Sequence, residues 1–245
     1  MTHPQEKGRF YDGAGNPVFE VPYADPSKGM RPVTIKDARK HGYLASVTTV
    51  IGEADKPGLT QWKIKQGILS ALTLPKIEGE SLDDFAERAL RDSKEQSIKA
   101  AADGTLIHAA IEGRKILGEF KEYVKAAASA VADWLPENTA PWTPEQSFSH
   151  PLGFGGKVDD HAPNAVVDYK STDKPLDGLE TWIDHAMQLA AYREGLGFPE
   201  ARCAIVYVSR IKPEARLIEI PQDELAKGWK MFQALLAYYR AKNNL

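Results

Sequence analysis

The sequence predicts an α/β fold: a mixed sheet flanked by helices, with an additional helical part on its N-terminal side. Three observations predict it. Most of the chain from Lys56 to Leu135 carries helical patterning. Beyond Pro136 the texture changes to short apolar runs punctuated by turns. The strongest apolar run, "ARCAIVYVSR", lies between two amphipathic helical patterns, and continuous apolarity of that kind marks a strand covered on both faces. Helices, a strand meander, a helix, strands and a closing helix, in that order, put helices against one sheet. The expectation is a single domain of 245 residues in three parts: an irregular or hairpin segment over 1–45, a helical part over 46–135 and an α/β core over 136–245.

Each element has its own signal. Residues 1–45 are rich in Gly, Pro and turn formers, with room for a short hairpin. "SVTTVIGEADKPGLTQWKIKQGILSAL" reads as a turn or helix start followed by a helix from about Gly58 to Leu72. "SLDDFAERALRDS" opens with a Ser followed by an acid three residues on, a capping-box pattern. A long helical region follows from about Lys94 to Gly118, and another helix over 120–135 ends at Pro136. "PEQSFSH", "GFGGKVDDHA" and "AVVDYKS" read as three antiparallel strands. "LETWIDHAMQLAAYREGL" is an amphipathic helix stopped by Gly197 and Pro199, "ARLIEI" a further strand and "QDELAKGWKMFQALLAYYRAK" the closing helix.

Composition narrows the classes. The chain is 42% hydrophobic and 27% charged, as in ordinary globular proteins. Its single cysteine, Cys203, permits neither an internal disulfide nor a multi-cysteine metal cluster, which favours a reducing, cytoplasmic setting. No apolar run approaches the ~18 residues of a membrane span, and "MTHPQEKGRFYDG" lacks the apolar core of a signal peptide. With a net charge of −3, any nucleic-acid contact needs a local basic surface. One candidate is "KGMRPVTIKDARKHG", with Lys28, Arg31, Lys36, Arg39 and Lys40 against Asp37 alone; a solvated loop and short strand would explain it equally well.

The stretch "AVVDYKSTD" ends an apolar strand with two ionisable groups. Asp168 and Lys170 are two apart, so on a strand they face the same side. Three acid-x-Lys triplets occur, as many as chance supplies, but those ending at Lys94 and Lys121 sit in helical patterns, where i and i+2 diverge. The preceding strand adds to this. "GGKVDDHAPNAVVDYKS" reads as a hairpin turning near Ala162–Ala165. If His161 pairs with Val166, Asp159 stands opposite Asp168, roughly 5 Å away. At an effective dielectric near 20 the two carboxylates repel by on the order of 3 kcal/mol. A cation between them relieves this, and hard oxygen ligands suit Mg²⁺ or Mn²⁺. Lys170 would then position or deprotonate a water. The alternative is a surface hairpin in which Lys170 neutralises an acid. Parity favours Asp159 over its neighbour Asp160 as the partner of Asp168. His108 and Glu112 in "GTLIHAAIE" share a helix face, as do Gln188 and Tyr192 in "QLAAY". Singly, His108 also fits a core histidine, Gln188 and Tyr192 fit an amphipathic helix, and Glu145 on the first meander strand fits the surface.

Taken in order, "GTLIHAAIE", Glu145, "GGKVD", "VVDYKS" and "QLAAY" resemble the RecB-like exonuclease branch of the PD-(D/E)XK nuclease superfamily, nearest in feel to phage exonucleases and the mitochondrial genome maintenance exonuclease. The resemblance runs from "SVTTVI", with Trp62 downstream, to "QLAAY". It implies a restriction-endonuclease-like core of four to five strands with helices on both sides. Asp159, Asp168, His108 and the main-chain carbonyl of Tyr169 match the metal site, with Glu145 a further candidate. Lys170 matches the catalytic lysine, acting with Asp159 and Asp168. Gln188, Tyr192 and Glu112 match positions that organise phosphate or water. Lys56, Lys63, Lys65, Ser46 and Thr48 are the candidate DNA contacts. The implied activity is Mg²⁺- or Mn²⁺-dependent hydrolysis of DNA from its ends, with one or two ions and no iron–sulfur cluster, in phage or bacterial recombination, repair or processing. The helices before Leu135 would guide a chain end. DNA is the implied partner, with a single-strand annealing or recombination protein, or further copies of the chain, as candidates and no membrane. An endonuclease of resolvase or nickase type, or a DNA-binding assembly protein that kept the fold, are the alternatives.

Overall fold

The computed structural model describes residues 9–113, 118–137 and 140–245, and within them all side chains except those of Pro26, residues 96–105 and Glu112. The chain divides into two compact units: one runs to Ala54 and resumes over Ile107–Leu245, and the other is Asp55–Leu106. The first unit is α/β. The second is helical, built from α3 (Pro57–Thr73) and the first part of α4 (Leu82–Glu112).

The sheet of the first unit is mixed and flanked by helices. Its body is five strands: β6 (Thr143–His150), β7 (Phe154–Ala162), β8 (Ala165–Thr172), β9 (Arg202–Ser209) and β10 (Ala215–Ile220). β6, β7 and β8 form an antiparallel meander, β8 and β9 are parallel, and β10 returns antiparallel to β9. Three short strands extend the sheet beyond β7: β5 (Leu44–Ser46), β1 (Phe10–Tyr11) and β2 (Pro17–Val18). A small separate hairpin joins β3 (Glu20–Pro22) to β4 (Met30–Pro32), and α1 (Ile35–His41) follows it.

Strand alternation divides the core into two layers. Val166, Ile205 and Cys203 face α2 (Val47–Ile51), α6 (Ile183–Gly195) and α7 (Gln222–Asn243). Val167, Tyr169, Ala204, Val206 and Val208 face the end of α4 and α5 (Lys121–Trp134), meeting Ile107, Ile111, Val124 and Val131. β9 is therefore apolar at every position from Cys203 to Val208 because both of its faces are covered.

The structure amends several element boundaries. The capping-box helix and the long helix after Lys94 are one element, α4, capped at its start by Ser81, whose Oγ accepts from the Asp84 amide at 3.1 Å. α6 begins at Ile183 instead of Leu179, because His185 Nδ1 accepts from the Trp182 amide at 3.2 Å and so starts the helix there. α1 and the pairing of β1 and β5 with the main sheet lie in the segment that had suggested only irregular chain and a hairpin.

α6 and α7 approach closely at Gly228. A Cβ at that position would stand 2.6 Å from the carbonyl carbon of Ala186. Alanine is the better helix former by about 1 kcal/mol, so the close approach explains why glycine stands here. Gly228→Ala should lose about 1–3 kcal/mol of stability through overpacking. A lowered denaturation midpoint at constant m-value would show it, and an unchanged midpoint would mean that the helices shift apart freely.

Candidate active site

The β7–β8 hairpin forms with His161 opposite Val166 and a two-residue turn at Pro163–Asn164. Its ladder then stops. Asp160 pairs with Val167, and no pair joins Asp159 to Asp168. The reason lies in the edges of β7. Asp160 pairs with β6 and β8, while Phe154 pairs with β6 and β5. A strand has two edges, so β8 and β5 share the edge opposite β6. The sheet forks there, and Asp159 stands where the fork opens.

A parting strand leaves main-chain groups to be satisfied. Asp159 supplies the missing acceptor, its Oδ2 taking the Tyr169 amide at 2.9 Å. The alternation of β7 slips at the same point: Val158 joins the core on the α6 side, whereas Asp160 lines an apolar cavity of about 410 Å³ on the α5 side. Across from Asp159 on β6, Glu145 has a φ of 60°, left-handed and uncommon for a residue with a Cβ, and it interrupts the β6–β7 ladder. The expected direct opposition of Asp159 and Asp168 on one shared face is thereby corrected. Asp168 and Lys170 do share a face, and they form an ion pair. Asp159 instead turns into the fork, beside the Tyr169 main chain.

Helices on both sides of the sheet supply the remaining groups. From α4, His108 Nε2 lies 2.8 Å from the Tyr169 carbonyl oxygen and 3.2 Å from Asp159 Oδ2. A carbonyl can only accept, so Nε2 carries the hydrogen in this arrangement. From α6, Gln188 Nε2 donates to Asp168 Oδ1 at 2.7 Å and to Tyr192 Oη at 3.0 Å. Asp159 and Asp168 are both 0% exposed. Burying carboxylates is costly unless cations or donors compensate, and here His108, the Tyr169 amide, Gln188 and Lys170 do so.

The other expected residues are placed as follows. Glu145 pairs with Lys157 across the β6–β7 ladder. Glu112 ends α4, four residues after His108, and its side chain lies outside the described residues. Ser46 is buried and caps α2, its Oγ accepting from the Thr49 amide at 3.0 Å, and Thr48 Oγ1 lies 3.2 Å from the same hydroxyl. Lys56, Lys63 and Lys65 belong to the helical unit, Lys63 and Lys65 on its surface.

Two residues near the site carried no motif. Tyr207 stands beside Lys170 in the parallel β8–β9 ladder, and burial, followed by the charge of Asp168, raises its hydroxyl above the ordinary tyrosine value. Lys157 is buried against Glu145, beside the break in the β6–β7 ladder. Register arithmetic on β9 would have found Tyr207. Nothing local marks Lys157.

The donor set suits a hard divalent cation: carboxylate oxygens of Asp159 and Asp168, the Tyr169 carbonyl and the His108 imidazole. His108 would serve as a ligand through Nε2 with the hydrogen of the neutral imidazole carried on Nδ1 instead. Among the described residues no three His, Cys, Asp or Glu side chains form a cage by themselves. The main-chain carbonyl and water would complete the shell.

No known protein family matches the chain, and no curated protein matches it. Solved structures do resemble it at low identity. One is a protein of Eubacterium rectale named as a candidate exonuclease: 14% identity over 73% of this chain and 68% of that one, TM-score 0.37. Another is LHK-Exo in complex with dAMP: 15% identity over 73% of this chain and 88% of that one, TM-score 0.33.

Proposed function

We propose that the chain is a metal-dependent phosphodiesterase acting on DNA, and in particular a deoxyribonuclease that digests from chain ends. One observation carries the reading: two fully buried carboxylates stand at a fork in the sheet, Asp159 bonded to the main chain of the residue after Asp168, with a lysine paired to Asp168 and an imidazole beside Asp159 and the Tyr169 carbonyl. A structural ion pair would not need the second acid. Asp159, Asp168, the Tyr169 carbonyl and His108 would hold Mg²⁺ or Mn²⁺, which supplies Lewis acidity and an acidified water at the scissile phosphate.

The chain's own groups do the rest. Gln188 fixes the Asp168 carboxylate from α6, and Tyr192 fixes Gln188, so the acid presents one oxygen in one direction. Lys170 is one-third exposed, which lets its ammonium reach solvent and substrate while staying against Asp168. There it orients the attacking water and offsets the charge that grows on the phosphoryl oxygens. Holding these groups ready on strands and helices lowers the reorganisation cost of the reaction.

Digestion from ends follows the family resemblance of the motifs. End-labelled linear DNA and covalently closed circles, each with Mg²⁺ or with EDTA, give the test. Linear DNA should be degraded in Mg²⁺ and spared in EDTA, and circles should survive both. Rapid cutting of circles would make the protein an endonuclease. No metal-dependent cutting of either would end the nuclease reading. Among the described residues, no helix is long and apolar enough to cross a membrane.

A further inference from the structure

The basic stretch after Lys28 takes no part in the site at the fork. It folds into β4 and α1, and with the end of β3 and Tyr43 it shapes a separate hollow of about 300 Å³. Tyr23, His41 and Tyr43 line it together with Arg31, Asp37 and Lys40. Three aromatic rings are thus gathered in one small surface hollow. Tyr23 is 41% exposed. His41 and Tyr43 stack on each other, with centroids 5.4 Å apart and planes inclined by 22°.

The charge of the hollow is just as one-sided. Asp37, the one acid among the described residues that line it, is engaged on both oxygens. Arg31 donates to them at 2.6 and 2.7 Å, and the amide and hydroxyl of Thr34 donate at 2.9 and 2.6 Å. These bonds, Arg31 first, hold the Asp37 carboxyl far below the usual carboxylate range. Lys36 and Lys40 are exposed and form no ion pair among the described residues. Arg39 donates to the Asn243 main-chain carbonyl, which leaves its charge uncancelled. Even with Glu20 and Asp25 of the neighbouring hairpin counted, cations outnumber acids here, on a chain whose net charge is −3.

We propose that this hollow binds single-stranded DNA. Unstacked bases lie on Tyr23 and on the His41–Tyr43 pair, while Lys36 and Lys40 meet the phosphates. Aromatic faces next to free cations are what a sequence-tolerant single-strand site needs, because every base has a π-face. A duplex hides those faces and would meet only the charges. Naming the polymer as DNA rests on the nuclease reading of the fork. The placement suits that reading: Tyr43 directly precedes β5, and β5 pairs with the start of β7 at Phe154. Asp159 lies on the same strand, about 17 Å further along.

The test uses the full chain in EDTA, where DNA is not cut, with a fluorescein-labelled oligodeoxynucleotide as single strand or as duplex. Fluorescence anisotropy gives the affinity, and thermal melting checks the fold. Tyr23→Ala and Lys40→Glu should each weaken single-strand binding about tenfold or more. Tyr23→Phe keeps the ring and should bind as the wild type does. Duplex binding should fall with Lys40→Glu and hardly at all with Tyr23→Ala. Wild-type single-strand affinity in folded Tyr23→Ala overturns the stacking site, and wild-type affinity in Lys40→Glu as well removes the hollow altogether. The two readings fail separately. Unchanged binding in both variants with normal Mg²⁺-dependent cleavage removes only this site. Binding weakened as expected in the two variants, with a wild type that binds DNA but never cuts it, removes only the nuclease.

Discussion

Lys170→Ala should slow DNA cleavage by about 10²–10³-fold with the fold unchanged. The ammonium is one-third exposed at the end of an apolar strand, so removing it leaves no cavity in the core. It does leave Asp168 without its ion-pair partner, and Gln188 then remains to hold that carboxylate. Lys170→Arg keeps the charge but trades a compact ammonium for a planar fork, so it should recover only part of the rate. The measurement is single-turnover cleavage of linear DNA in saturating Mg²⁺, with melting as the control. Wild-type rates in Lys170→Ala would remove the lysine from the mechanism.

The second large effect belongs to Asp159, and here two substitutions should part company. Asp159→Asn keeps an oxygen to accept the Tyr169 amide but loses the charge. It should retain stability and lose metal-dependent cleavage. Asp159→Ala loses the acceptor too, leaving a buried amide unsatisfied, and should cost about 1–3 kcal/mol of stability besides activity. Denaturant titration in EDTA isolates the structural part, and calorimetric Mn²⁺ binding isolates the metal part. Equal stability of the two variants would mean that the bond to Tyr169 does not hold the fork. Full Mn²⁺ affinity in Asp159→Asn would take this carboxylate out of the metal site.

The hairpin was legible in the sequence for a local reason. Pro163–Asn164 sits between two apolar runs, and a two-residue turn there pairs Ala162 with Ala165 and so sets the register of the whole hairpin. α5 and α7 were legible from helical periodicity. The fork was not. It depends on Ala45 pairing with Phe154, a contact between strands of a few residues that leave no periodic signal. Parity alone therefore put Asp159 squarely opposite Asp168, where the slip at Glu145 turns it into the gap instead. His108 was singled out, but its approach to Asp159 and Tyr169 depends on packing of the end of α4 against the α5 face of the sheet, which helix periodicity does not specify.

The shared edge of β7 also bears on how the protein folds. The β7–β8 hairpin closes across two residues and can form within microseconds, as hairpins do. The β5 branch joins residues as far apart as Ala45 and Phe154, and so waits on a long loop closure and on completion of the helical unit encoded between them. The carboxylates would thus be threaded early and aligned late. In pulse-labelled hydrogen exchange, amides of the turn-proximal hairpin should gain protection before those around Ala45 and Gly155. Catalytic competence would then report the last contact to form, and refolding yield measured by activity would lag behind refolding measured by helical signal.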